Sequence, residues 1–149
     1  MIKLLVALQV FQVLFLLLHD WVPLGRLNDV AAGRTENPGG RLLRATIIST
    51  APFLVPLAAS FAYVGSRYPH WLWTWLWVAY GLLFVGELRA WWLPYFFGAD
   101  TERVVRYGRM FDRTHSFLPR RNGIEPNTLH VVLHVVTLGT LVVLAKLTL

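Results

Sequence analysis

The sequence contains no cysteine and few charged residues. Without cysteine the chain cannot form disulfides, use thiol catalysis or bind metals through thiolates. Charged residues make up 15% of the 149 residues, well below the roughly 25% of typical soluble chains. Because 56% of the residues are hydrophobic and lie in long runs, soluble globular, disordered, collagen-like and disulfide-scaffold classes are excluded. The remaining class is an integral membrane protein.

Four apolar segments predict helices that cross a bilayer. A helix needs about 20 residues, at 1.5 Å each, to cross a ~30 Å hydrocarbon core, and lipid cannot satisfy non-helical backbone. The first segment is the shortest, with 16 uncharged residues from Leu4 to His19. We predict an all-α integral membrane protein, a four-transmembrane-helix antiparallel bundle that forms a single domain over 1–149. The predicted spans cover about 3–22, 44–65, 69–93 and 126–147.

Aromatic and proline residues mark the second and third predicted spans. Pro52 and Pro56 lie inside the second span and predict a bend there. Tryptophan and tyrosine favour membrane interfaces, so their clusters predict an aromatic belt at both ends of the third span. The clustered residues are Trp71, Trp73, Trp75 and Trp77 at its start and Trp91, Trp92 and Tyr95 at its end.

The polar loops carry further signals. Residues 101–117, in the third loop, place arginines on one face and apolar side chains on another. This pattern predicts an amphipathic helix along the lipid headgroups, with a solvated loop helix as the alternative. Turns are predicted at 37–40 and at Asn122-Gly123, and Asn127 is expected to cap the last helix.

Basic residues are concentrated in two loops. Residues 20–44 and 87–125 hold eleven of the fourteen lysines and arginines, so the positive-inside rule places both loops in the cytoplasm and both termini outside. The preference for arginine over lysine fits a GC-rich bacterial genome, and we expect a multi-pass protein of the bacterial inner membrane. Membrane lipids are the expected partners. Nucleic acid is not expected, because the chain has no basic soluble domain to hold it.

Polar side chains are predicted to converge at one end of the bundle. Glu87 ends the third span, His19 and Asp20 end the first, and Asn127 and His130 begin the fourth. In an antiparallel bundle these ends lie on the arginine-rich side of the membrane. Because polar groups in membranes tend to face the bundle interior, the sequence predicts a polar pocket at this mouth, with His134 one turn deeper.

Candidate residues for chemistry follow from this placement. Glu87, His115, His130 and His134 are candidate acid–base residues. The candidate ligand-binding residues are His19, Asp20, Arg89, Arg106, Arg109, Arg113, Arg120, Arg121 and Asn127, since arginine forks bind phosphate. The four-residue spacing of His130 and His134 also suits a metal ion, and a haem between facing helices is a further alternative.

Each candidate also has a structural interpretation. The histidines could belong to a hydrogen-bonded network that fixes helix register. Glu87 could be an interfacial carboxylate paired with Arg44 or Arg89. His19 and Asp20 are adjacent, and adjacent helical residues point 100° apart, so we expect separate contacts for them.

Three hypotheses of function remain open. In the first, the polar pocket binds a lipid or another amphipathic anionic ligand, with or without catalysis on it. In the second, the protein is a non-catalytic accessory subunit of a larger membrane complex. In the third, it is a small proton-coupled transporter that works as a dimer and uses Glu87 as its proton site.

Overall fold

The computed structural model describes residues 1–38 and 40–149, and this part of the chain is all-helical, without a β-strand. A 3₁₀ turn covers Gly25–Leu27, and a π-helical turn covers Leu88–Trp92. The turn predicted at 37–40 includes Gly39, which lies outside the described residues. The α-helices are α1 (Ile2–Leu18), α2 (Val30–Glu36), α3 (Arg41–Ala62), α4 (His70–Glu87), α5 (Leu93–Phe97), α6 (Thr101–Phe111) and α7 (Thr128–Thr148).

Three helical stretches are long and apolar enough to cross a membrane. They are Arg41–Ala62, His70–Phe97 and Thr128–Thr148, whereas α1 is apolar but has only 17 residues. Large apolar side chains cover their outer faces, as at Leu82 and Val135, which are 68% and 64% exposed. Such extensive apolar exposure suits lipid rather than water. Length and composition thus indicate a helical membrane protein.

The long helices share one core. α1 packs against α3 and α7, and α4 packs against the same two helices. The fully buried side chains of this core are Leu5, Leu72, Leu76, Tyr80 and Leu144. Polar side chains link the helices within it: Gln9 Nε2 on α1 donates to Ser60 Oγ on α3 at 3.0 Å. The core therefore combines apolar packing with hydrogen bonds between helices.

Two prolines leave carbonyls that aromatic side chains satisfy. Proline has no N–H to donate to the carbonyl four residues earlier. For Pro56 that carbonyl belongs to Pro52, and the indole N–H of Trp75 on α4 donates to it at 3.0 Å. For Pro94 it belongs to Ala90, and the hydroxyl of Tyr107 on α6 donates to it at 2.9 Å. The partners of both carbonyls come from neighbouring helices.

The helix α6 covers the end of α4. Its apolar side chains Val104, Tyr107 and Phe111 pack against a buried cluster of Trp91, Tyr95 and Ile124. The apolar face that the sequence assigned to lipid headgroups therefore packs largely on the protein. Trp91 and Tyr95, two aromatic residues of the predicted belt at this end, are buried under this cover.

The segment 112–127 folds back onto α5. The predicted Asn122-Gly123 turn is confirmed: both residues have positive φ, 50° and 78°, and Arg121 and Ile124 form an antiparallel bridge across it. Asn122 Nδ2 donates to the carbonyl of Tyr95 at 3.0 Å. These contacts hold the loop against the protein at the arginine-rich end.

Candidate functional site

A polar network crosses the interior between α1, α4 and α7. Gln12 Nε2 donates to Thr137 Oγ1 at 2.9 Å, and Thr137 Oγ1 donates to Glu87 Oε1 at 2.7 Å. Thr140 Oγ1 donates to Gln12 Oε1 at 3.3 Å. All four side chains are buried. The polar faces predicted on these helices are thus joined through residues that the sequence did not single out as a site, namely Gln12, Thr137 and Thr140.

Glu87 lies inside this network and forms no ion pair with any residue that the structure describes. Glu87 is only 5% exposed. The second oxygen of its carboxylate, Oε2, has no hydrogen-bond partner within residues 1–38 and 40–149. The expected pairing with Arg44 or Arg89 is wrong. Arg89, two residues further along the helix, points to a different side and lines a cavity with Arg103.

His19 and Asp20 form a pair at the end of α1. His19 Nε2 lies 3.3 Å from Asp20 Oδ1, and His19 Nδ1 donates to the carbonyl of Phe15 at 2.9 Å. The expectation of separate contacts is wrong: the backbone at His19 is still helical, yet its ring reaches the neighbouring carboxylate. Both ring nitrogens of His19 therefore face acceptors.

The two histidines of α7 make separate hydrogen bonds. Asn127 caps α7 as predicted, accepting from the backbone N–H of His130 at 3.0 Å, and its Oδ1 also lies 2.6 Å from His130 Nδ1. An amide oxygen only accepts, so His130 Nδ1 carries a proton. His134 Nδ1 accepts from the indole N–H of Trp92 at 3.1 Å. The hydrogen-bonded interpretation of these histidines thus has geometric support.

Aromatic rings surround the histidines. The centroid of the His130 ring lies 4.9 Å from that of Trp91, 5.8 Å from His19 and 6.4 Å from His134. Among the described residues, no group of three or more His, Asp or Glu side chains is arranged to hold a metal ion. A metal at His130 and His134 would therefore need ligands from outside this set.

The predicted ligand-binding arginines fall into several places. Arg109 Nη1 lies 3.7 Å from Glu36 Oε1. Both residues line a cavity of about 740 Å³ between α2 and α6. Arg120 pairs with Glu125 and Asp112, and these hydrogen bonds raise the pKa of Arg120. Two further predicted residues, Arg89 and Arg106, line a separate cavity of about 480 Å³, and Arg121 lies over the ring of Phe96.

His115 lies at the surface and ties the loop to its neighbours. Its Nδ1 is 2.7 Å from Thr128 Oγ1, and its backbone N–H donates to the carbonyl of Arg26 at 2.6 Å. The structure thus places this acid–base candidate away from the buried Glu87 and in a supporting role.

A third cavity has a different charge balance. It has a volume of about 490 Å³ and lies between the end of α1, α2 and the loop after α6. Arg26, Arg34 and Arg113 line it, and none of them forms an ion pair with any residue that the structure describes. The acidic residue in the lining of this cavity is Asp29. Its side chain is the N-cap of α2 and accepts a hydrogen bond from the backbone N–H of Ala32.

From the sequence, Arg26 and Arg34 contribute only to the charge asymmetry that predicts membrane orientation. Arg34 lies over the ring of Trp21, with its guanidinium carbon 5.8 Å from the ring centroid. No local spacing links these two residues to Arg113, which lies 87 positions after Arg26 and 79 after Arg34. The two arginines could not be assigned to a site before the chain folds.

No protein-family model matches the chain, and neither a curated protein nor a solved structure matches it significantly.

Proposed function

We propose that the protein binds the phosphate of an anionic lipid headgroup in the cavity lined by Arg26, Arg34 and Arg113. The observation that carries the proposal is that these three arginines line one cavity and form no ion pair with any carboxylate that the structure describes. Arg109 and Arg120, in contrast, are paired with acids. Planar guanidinium forks bind phosphate through paired hydrogen bonds, which supports a phosphate-bearing ligand.

The position of the cavity favours a lipid as the source of that phosphate. Trp21 borders it just beyond the end of α1, and tryptophan side chains concentrate at headgroup level. A volume of about 490 Å³ falls within the range of small-molecule sites. The acyl chains would extend along the exposed apolar faces of the neighbouring helices.

We also propose that α1 is a fourth membrane span. As a 17-residue helix it is ~25 Å long, slightly less than the hydrocarbon core. Its buried Gln9 and Gln12 bond to Ser60 and Thr137 on two spanning helices, so α1 lies at their depth. Isolated glutamines in lipid are costly, and these partners offset that cost.

Contacts between neighbouring helices support an antiparallel four-helix bundle. Along α4 and α7, residue 77 bonds to 148, residue 87 to 137 and residue 92 to 134. The numbers rise on one helix and fall on the other, as in an antiparallel pair. The same opposite progression relates α1 to α3, where residue 9 bonds to 60 and residue 21 to 46.

We place the arginine-rich end of this bundle, including the lipid cavity, in the cytoplasm, in a bacterial inner membrane. The support is the charge asymmetry: eleven of the fourteen basic residues lie in the two long loops. The positive-inside rule retains such loops on the cytoplasmic side, where anionic headgroups are abundant.

Lipid retention measured by native mass spectrometry tests the proposed site. Wild-type protein released from nanodiscs of mixed phosphatidylglycerol and phosphatidylcholine should retain phosphatidylglycerol. The triple change Arg26→Gln, Arg34→Gln and Arg113→Gln should weaken that retention on the order of 100-fold, at about 1 kcal/mol per arginine. Adding inorganic phosphate distinguishes a lipid site from a free-phosphate site, because only the latter would exchange its ligand readily.

A matched control removes the same charge from the same side of the membrane. Arg41→Gln, Arg44→Gln and Arg121→Gln lie outside the cavity and should leave most of the retention intact. Equal loss in both triple variants would show general attraction to net charge and would contradict a specific site.

A further inference from the structure

The buried carboxylate Glu87 plays no part in lipid binding as proposed above. Its Oε1 accepts one hydrogen bond from Thr137, and its Oε2 has no partner in the described part of the chain. Burying an ionised carboxylate with one hydrogen bond and no cation is costly, whereas the neutral acid costs far less. Such groups inside membranes commonly serve function rather than stability.

The surroundings of Glu87 offer no compensating charge. Glu87 forms no ion pair with any of the described residues. The cationic side chains on the neighbouring elements lie at helix ends or line cavities. Along α7, the titratable groups nearest to Thr137 are the histidines. The charged or titratable groups on these elements are Lys3, His19 and Asp20 on or after α1, Arg41 and Arg44 on α3, His70 and Tyr80 on α4, Arg89 in the π-turn, and His130, His134 and Lys146 on α7.

Thr137 can support both protonation states of Glu87. Its single hydroxyl proton has two acceptors within reach, Glu87 Oε1 at 2.7 Å and the carbonyl of Leu133 at 3.1 Å. When Glu87 is ionised, Thr137 donates to it. When Glu87 is protonated, the hydroxyl turns toward Leu133 and accepts from the acid, while Gln12 donates to it in both states. The exchange requires rotation of one hydroxyl.

A line of histidines leads from the arginine-rich end toward this carboxylate. His19 contacts Asp20, and its ring centroid lies 5.8 Å from that of His130, which lies 6.4 Å from that of His134. A small cavity of about 20 Å³ borders His19, Asp20 and His130, enough for about one water molecule. Thr137, which donates to Glu87, follows His134 by three residues on α7, about one helical turn.

We propose that Glu87 is a reversible proton-binding site and that it exchanges its proton with the arginine-rich side of the membrane through His19, His130 and His134. The proton passes between solvent and the Glu87 carboxylate, and no other bond changes. This site is separate from the lipid cavity, so either proposal can fail without the other.

Infrared difference spectroscopy of the protein in lipid membranes tests the proton site. Raising the pH should remove the carbonyl band of a protonated carboxylic acid. That band should be lost in Glu87→Gln and kept in Glu102→Gln, whose carboxylate is exposed on α6. A wild-type protein without such a band at any pH, or a band that survives in Glu87→Gln, would overturn the proposal.

A measurement on the wild-type chain covers the case in which Glu87→Gln does not fold. Dicyclohexylcarbodiimide is apolar, and a protonated carboxylic acid adds across its C=N bond, the acid proton passing to nitrogen. Mass spectrometry should find the adduct on the peptide containing Glu87, and its yield should fall as the pH rises. Modification confined to the exposed acids would contradict the proposal.

The access route has its own test. His130→Phe should slow the deuterium-induced shift of the Glu87 band several-fold, because it removes the exchangeable group between His19 and His134. Thr148→Val, at the opposite end of α7, is the control and should leave the rate unchanged. An unchanged rate in His130→Phe would rule out this route while the band itself still reports the site.

Discussion

Gly123 occupies a position that admits no side chain. Its φ is 78°, and a Cβ built on it would lie 2.7 Å from Val104 Cγ1 on α6. Gly25 also has a positive φ, 63°, but a Cβ there would meet no atom within 4 Å. The two glycines therefore separate backbone strain from steric overlap.

We expect Gly123→Ala to destabilise the protein by about 2–4 kcal/mol, because left-handed strain and overpacking both act there. Gly25→Ala should cost only the strain, about 1–2 kcal/mol. Thermal unfolding in mild detergent measures both variants. Equal losses would mean that Val104 moves aside and that the loop does not pack tightly on α6.

Individual site residues were predictable only in part. A 3.6-residue period placed Asn127, His130, His134 and Glu87 on inner faces, and the burial of Asn127, His134 and Glu87 agrees with that placement. The pairing of His19 with Asp20 was missed because it depends on side-chain rotamers, which helical periodicity does not specify. Partners far apart in sequence, such as Arg26 and Arg113, follow only from the folded chain.

At the scale of the helix, the contact between Trp75 and Pro52 compensates for Pro56. In lipid an unpaired carbonyl cannot bond to water, so the indole N–H of Trp75 replaces the missing backbone donor. The sequence indicated a bend at these prolines and lipid exposure for Trp75. It could not indicate the bond, which requires α3 and α4 to pack in one register.

A double-mutant cycle measures this compensation. Trp75→Phe should cost about 1 kcal/mol in the wild-type background. In a Pro56→Ala background the new N–H of residue 56 can bond to the Pro52 carbonyl, so the same change should cost clearly less. Trp71→Phe controls for loss of indole surface. A cost that is independent of residue 56 would show that Trp75 acts by packing alone.

Tyr107 on α6 compensates in the same way for Pro94 on α5, by donating to the carbonyl of Ala90. Burial raises the pKa of the Tyr107 phenol, against the opposing influence of Arg103 and Arg106. The hydroxyl therefore keeps the proton that it donates to Ala90 at neutral pH. The amphipathic pattern of α6 was evident from the sequence, but whether its apolar face would meet lipid or protein was not.

For the whole molecule, the absence of cysteine makes orientation directly measurable. Ser66, between α3 and α4, and Thr35, on α2, are both exposed. In intact cells a membrane-impermeant maleimide should label Ser66→Cys, whereas Thr35→Cys should react only after permeabilisation. The reverse pattern would place the cavity of Arg26, Arg34 and Arg113 outside the cytoplasm.

Composition alone predicted the class of the molecule, since low charge and long apolar runs leave few other solutions. The order of the long helices and α6, and the arginine-rich end, followed from the same pattern, whereas the short helix α2 was not predicted. The sequence did not show that the cavity of Arg26, Arg34 and Arg113 is separate from the Glu87 network. The same periodicity of polar residues is compatible with one pocket and with two separate sites.

The bond from Trp75 to the carbonyl of Pro52 has a consequence for biogenesis. A lone α3 helix entering lipid would carry an unsatisfied backbone carbonyl at membrane depth. Residues 63–69, which join α3 to α4, are too few to separate the two helices. Release of α3 and α4 from the insertion machinery as one helical hairpin would pair the carbonyl before lipid surrounds it.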